Sequence, residues 1–178
     1  MNITTDDYGS AINSPDGDVL HITNSEFINI VGINNQSIVN TGTDSVYFEN
    51  NLITNCPDPG SVYALIYLGN NTEYMGIRSS IFWSEDVNGF DQYIKSYAST
   101  SDVVDIWYSN FNTQLTTGIG LIGNIYTNPL FCDPYNGDYS VAANSPVLGS
   151  GQGGVNMGGV ISGCDSTHAG PVWYVSTN

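Results

Sequence analysis

The acids of this chain fall in close sets: Asp6-Asp7, Asp16 with Asp18, Glu85-Asp86 with Asp91, and Asp102 with Asp105. Two carboxylates facing each other across a glycosidic bond would hydrolyse it. The spacing argues against that use. Asp16 and Asp18 flank Gly17, a turn, and Asp102 and Asp105 fall on opposite faces of a regular strand. Elimination beside a uronate would instead need a strong base and nearby positive charge, and the only Lys or Arg residues are Arg78 and Lys95. Glu49 and Arg78 occupy equivalent outward positions in neighbouring repeats, so the natural expectation is a structural cross-strand ion pair. His21 and His168 stand alone. We therefore assign no catalytic residue. Calcium is the better ion, because acid-rich loops with carbonyl and amide oxygens supply its roughly six to eight hard ligands. The loop "SEDVNGFD" (84–91) offers Glu85, Asp86 and Asp91, and "TTDDYGS" (4–10) is a second candidate. Neither has EF-hand or nonapeptide calcium-repeat spacing. Apart from calcium, no cofactor is expected.

The aromatic residues suggest a different chemistry. Several of the 12 Tyr and 3 Trp fall on outward or loop positions of strand-like segments, Tyr47 among them. Tyr63, Tyr67, Trp83, Tyr93, Tyr97 and Trp107 form a candidate carbohydrate-binding strip, since aromatic faces stack on the apolar faces of pyranoses. A polysaccharide or glycan is the partner this implies. The competing reading is packing, because Tyr and Trp favour strands and pack across neighbours.

Composition narrows the partners. The chain has 178 residues, and 17 acids against two bases give a formal charge of −15. Phosphate backbones are repelled, so nucleic acid is excluded, and an anionic membrane surface is disfavoured for the same reason. No apolar run approaches the ~18 residues of a membrane span. The scarcity of Lys suits an extracellular or saline setting. Cys56, Cys132 and Cys164 are odd in number and widely spaced, which predicts no disulfide framework; Cys56 and Cys132 read as small buried apolar residues. The N-terminus, "MNITTDDYGS", lacks the features of a signal peptide.

The elements that would position these side chains emerge when the chain is laid on itself. "VLHITNSEFINI" (19–30), "SVYFENNLITNC" (45–56), "YMGIRSSIFWSE" (74–85) and "VVDIWYSNFNTQ" (103–114) superpose. Leu20, Val46, Met75 and Val104 share one apolar position; Ile22, Phe48, Ile77 and Ile106 share the next. Successive second positions are 26, 29 and 29 residues apart. A period in the twenties with strand-like alternation specifies a solenoid, in which each coil buries its face against its neighbours. The polar pair after the second position marks a corner. Asn24, Asn50 and Ser79 form a structural ladder there, because Asn tolerates the left-handed geometry a sharp bend needs. Tyr108 stands where the fourth Asn is expected. Further strands are predicted at 37–39, 62–68 and 93–97.

At these residues the chain resembles the right-handed parallel β-helix family of large bacterial surface and secreted proteins. The likeness is greatest at "GNIYTNPLF" followed by "DPYNGDYSVAANSPVLGSG", which resembles that family's closing segment. It implies an all-β, right-handed parallel β-helix of about four to five coils spanning residues 1–163. A linker at 164–170 and the opening strand of a following domain at 171–178 would complete the chain. Within the closing segment, Asn136-Gly137 is expected to supply the positive-φ residues of a tight turn, and the segment to block the exposed edge of the last coil. Polysaccharide lyases and hydrolases share this architecture, so fold alone does not decide activity. The resemblance implies a monomeric slice of a multidomain protein at the cell surface or outside the cell. Its expected role is structural or adhesive rather than catalytic, with carbohydrate binding or cleavage as the alternative.

Overall fold

Alternating apolar and polar residues give this chain short extended strands, because successive side chains point to opposite faces. The structure, a computed structural model, describes residues 12–14, 17–30, 38–56, 64–84, 93–96, 104–115 and 119–166. Its strands are β1 (Ile12–Ser14), β2 (Val19–Thr23), β3 (Glu26–Ile28), β4 (Val39–Thr41), β5 (Ser45–Glu49), β6 (Leu52–Thr54) and β7 (Ile66–Leu68). They continue as β8 (Tyr74–Arg78), β9 (Ile81–Trp83), β10 (Ile94–Ser96), β11 (Val104–Trp107), β12 (Asn110–Phe111) and β13 (Ile119–Ile122). The fold is all-β. These strands form three parallel sheets, ordered β1-β4-β7-β10, β13-β11-β8-β5-β2 and β12-β9-β6-β3. The strand expected at 37–39 lies at Val39–Thr41, and those expected over 62–68 and 93–97 are the shorter Ile66–Leu68 and Ile94–Ser96.

The sequence repeat and the sheet register coincide. Leu20 pairs with Val46, Val46 with Met75, and Met75 with Val104; Ile22, Phe48, Ile77 and Ile106 pair in the same succession. The third sheet aligns Phe27, Ile53, Phe82 and Phe111. These columns meet in one core, where Phe82 and Phe111 stack at 4.7 Å and Phe48 and Phe82 meet at 5.5 Å. Each such buried side chain stabilises the fold by about 1.5–3 kcal/mol over its exposed state.

The corners are built from left-handed residues. Asn24, Asn50, Ser79 and Tyr108 have φ of 50°, 56°, 48° and 50°. Tyr108 therefore adopts the corner conformation although its side chain differs. The residue after each corner points inward and closes the backbone accounts between repeats. Asn51 Oδ1 accepts from the Ser25 N–H at 2.8 Å, and its Nδ2 donates to the Ile22 carbonyl at 2.7 Å. Ser80 Oγ accepts from the Asn51 N–H at 3.1 Å, Ser109 Oγ from the Ser80 N–H at 3.2 Å, and Asn124 Oδ1 from the Ser109 N–H at 2.9 Å. Backbone amides at a bend, which cannot all join a ladder, are thereby satisfied in the interior. A second asparagine rung joins Asn55 Nδ2 to Asn29 Oδ1, at φ of 50° and 55°.

The C-terminal part differs from expectation in three respects. First, it does more than meet the edge of the last repeat. Ile125 bridges Asn110 there, but the chain then folds back over the outer face of the third sheet. β14 (Phe131–Asp133), a short 3-10 turn at Pro134–Asn136, β15 (Asp138–Ala142) and β16 (Ser162–Cys164) form a small separate sheet. Tyr139, Val141, Val147, Met157 and Val160 bury Leu52 and Ile81, which face away from the main core. The reason is visible in the pairs Leu52-Ile53 and Ile81-Phe82: two consecutive apolar residues in a strand need cover on both faces. Second, Cys132 and Cys164 form a disulfide across 32 residues, with Cα atoms 5.9 Å apart. This fold-back brings together cysteines whose spacing predicted no pairing. Cys56 is buried and free. Third, only Gly137 (φ 84°) has positive φ in the hairpin turn; Asn136 belongs to the 3-10 turn, and its Nδ2 donates to Asp133 Oδ2 at 2.6 Å. Cys164, where the linker was expected to begin, is the last residue of β16. Residues 171–178 lie outside the described residues. Among the described residues no helix is long and apolar enough to cross a membrane.

Candidate functional site

The described members of the candidate sugar-binding set, Tyr67, Trp83, Tyr93 and Trp107, do not share one sheet face. Tyr67 lies on β7, paired in register with Lys95. Trp83 lies on β9 and Trp107 on β11, each in a different sheet. Shared outward parity does not place residues together when each repeat turns through three sheets. Tyr93, expected outward, is buried (0% exposed), edge-on to Phe82 at 5.6 Å and to Phe111 at 5.7 Å. Its hydroxyl donates to Asn112 Oδ1 at 2.7 Å, and burial raises its pKa well above that of a free phenol. The core needs a ring here, and a side-chain amide satisfies the one polar atom. Tyr63 and Tyr97 lie outside the described residues, as do Glu85, Asp86 and Asp91 of the calcium loop. Among the described residues no three His, Cys, Asp or Glu side chains converge as metal ligands.

The five-stranded sheet carries a polar row on its outer face. His21 stacks on Tyr47 at 4.7 Å, and Tyr47 meets Tyr74 at 5.7 Å. Arg78 Nη1 lies 3.5 Å from Glu49 Oε1, the expected pair, and its guanidinium sits 4.8 Å over the Trp107 ring. Tyr74 leans across Gly76, where an added Cβ would meet its hydroxyl at 2.9 Å. Burial first, then the charge of Asp105, raises the Tyr74 pKa above its ordinary value. Glu49 pairs with Arg78 and Asp105 with Gly76, so the two carboxylates are two strands and two residues apart. With ~4.8 Å between strands and ~3.3 Å per residue, their Cα atoms are about 12 Å apart. Arg78 lies between them. Glu49 is held against Arg78 as a cross-strand ion pair.

A groove of about 370 Å³ opens where the closing segment meets the end of β6 and β9. Trp83, Phe131, Tyr135 and Tyr139 line it together with Asn55 and Asn128. β9 positions Trp83, with its indole facing away from the main core beside Thr54 of β6. Phe131 and Tyr139 meet edge-to-face at 5.4 Å across the β14–β15 hairpin. Tyr135, on the 3-10 turn, is 95% exposed. Leu130 bends the chain into the groove wall with φ of 58°, held by Asn128 Oδ1 accepting its N–H at 2.9 Å. A non-glycine residue in that conformation costs about 1–2 kcal/mol.

Of these residues only Trp83 was marked by sequence. Phe131, Tyr135 and Tyr139 belong to the closing segment, whose turn residues signal an end rather than a wall. The signal that could have found them was the outward pair Leu52 and Ile81, which demands that something apolar lie over that face.

Fold and site define an all-β protein with parallel sheets and an aromatic groove under a folded-back segment. No family model, curated protein or solved structure matches this chain.

Proposed function

We propose that this chain is a non-catalytic structural or adhesive module: a right-handed parallel β-helix of about four to five coils with a closing segment, taken from a large exported protein like those of bacterial surfaces. The observation that carries it is the register. Equivalent residues of four repeats pair one above another, with a column of left-handed corners from Asn24 to Tyr108. That is the arrangement in which each repeat buries its face only against its neighbours. The Cys132–Cys164 disulfide supports export, because such bonds persist in oxidising compartments.

Two measurements test this. A crystal structure should trace one continuous right-handed superhelix; a left-handed winding, or sheets packed without a continuous coil, would refute the architecture. Incubation with neutral and acidic polysaccharides should release no new reducing ends or unsaturated products, and turnover of any of them would refute the non-catalytic role.

The groove favours a second reading, carbohydrate binding. Trp83 and Tyr135 present rings, and Asn55 and Asn128 present amides, to one concavity. A β-helix that cleaves polysaccharide lacks comparable support, since no paired carboxylates accompany those rings among the groove-lining residues.

A further inference from the structure

We infer that the groove between Trp83 and the Tyr135 turn is a subsite for a short stretch of a neutral, uncharged glycan. The inference rests on the carbohydrate-binding reading and specifies its place and ligand class.

The shape comes first. At about 370 Å³ the groove lies at the small end of ligand sites, which suits one or two sugar rings rather than a folded partner. Its lining combines aromatic residues with two amides. Pyranoses offer the matching chemistry, with C–H faces that stack on rings and hydroxyls at the rim that bond to amides.

Tyr135 is the second observation. It is 95% exposed, yet it sits on a turn held rigid from within. The Gly137 N–H donates to the Pro134 carbonyl at 3.2 Å, Asn136 bonds Asp133, and Pro134 fixes φ at the turn's start. No residue of this turn is buried, so packing does not explain the ring's position. With the turn's backbone already set, contact with a ligand orders only the torsions of an exposed ring.

Charge selects the class. The chain carries −15, and the hairpin that walls the groove carries two of its acids, Asp133 and Asp138. Neither Arg78 nor Lys95 lines the groove. A uronate or sulfated sugar would meet repulsion without a counter-charge, whereas a neutral hexose or pentose would not. The amides have capacity to spare. Asn128 uses Oδ1 on the Leu130 N–H, and Asn55 uses Nδ2 on Asn29. Asn128 Nδ2, with two N–H groups, and Asn55 Oδ1 thus offer donors and an acceptor to sugar hydroxyls.

The test is calorimetric titration of the whole chain with cellohexaose, maltohexaose, mannohexaose, xylohexaose and oligogalacturonate. The same titrations are run on Tyr135→Ala and Val19→Ala. At least one neutral oligosaccharide should bind, oligogalacturonate should not, and Tyr135→Ala should weaken binding at least tenfold with an unchanged melting temperature. Val19→Ala, at an exposed position on β2, should bind as the parent does. Neutral binding that survives Tyr135→Ala would overturn the groove assignment while leaving carbohydrate binding in place. Stronger binding of oligogalacturonate would overturn the ligand class. Absence of binding by every oligosaccharide would overturn the inference and the carbohydrate reading together.

Discussion

Asn50 Oδ1 accepts a hydrogen bond from the backbone N–H of Gly159 at 2.9 Å, 109 residues further along the chain. The same amide donates from Nδ2 to Asn24 Oδ1 at 2.7 Å. One corner residue therefore joins two repeats and also clamps the closing segment onto them. Ser79 repeats the clamp one step on, its carbonyl accepting from the Gly158 N–H at 2.6 Å and its Oγ from the Gln152 N–H at 2.9 Å.

Asn50 combines a left-handed backbone with two side-chain bonds, and two substitutions separate those roles. Asn50→Gly keeps the conformation and loses the bonds, and should lower stability by about 1 kcal/mol. Asn50→Ala also incurs the left-handed penalty and should lower it by about 2–3 kcal/mol. Urea unfolding midpoints measure both. Equal losses would show that the corner conformation contributes nothing.

Asn51 and Asn24 differ by burial rather than chemistry. Asn51 is fully buried and serves the Ser25 N–H and the Ile22 carbonyl. Asn51→Ala strands both backbone groups and should destabilise by about 2–4 kcal/mol. Asn24 is exposed, so Asn24→Ala keeps its loss to about 1–2 kcal/mol, mostly from the left-handed backbone. Chemical denaturation of the two variants side by side checks the ordering, and a larger loss at Asn24 would contradict it.

The Cys132–Cys164 bond closes a 32-residue loop that covers Leu52 and Ile81. In the chain-entropy picture, removing it with Cys132→Ser and Cys164→Ser costs about 3–4 kcal/mol. Limited proteolysis should then cut first within residues 133–163 and leave the repeats intact longer. Simultaneous loss of both parts would mean that the repeats do not hold without their cover.

Cys56 is buried, and desolvation pushes its thiol from an ordinary 9.0 up to about 11, against backbone hydrogen bonds at Ile30 and Thr54 that lower it. Its folded pKa exceeds the unfolded one, so its stabilisation is complete below about pH 9 and is lost as pH rises towards 11. Two units correspond to about 2–3 kcal/mol at most. Stability measured from pH 8 to 11 should fall, and Cys56→Ala should flatten part of that fall. Rapid alkylation of the native thiol at pH 8 would show that it is not sequestered.

Much of the repeat was legible because its physics is local and periodic. Ile22, Phe48, Ile77 and Ile106 alternate with polar neighbours and recur at nearly constant spacing, so one alignment supplies both strand identity and register. The corner at Asn24 and Asn50 was legible for the same reason, since few residues other than glycine tolerate positive φ. Tyr108 shows the limit: it takes the same conformation against its own preference because the strands on either side, β11 and β12, are held by their pairing.

The sequence by itself determined which residues stack on which, through alternation and period acting over one repeat at a time. Tertiary structure decided what lies over the outer face of Leu52 and Ile81, which cysteines pair, and that Trp83 shares a groove with Tyr135 while Tyr93 is buried and Trp107 sits on another sheet. The cover, the disulfide and the groove depend on a segment without a period folding back across the repeats. The apolar surface that drives it is non-directional, and only packing in three dimensions selects the partner.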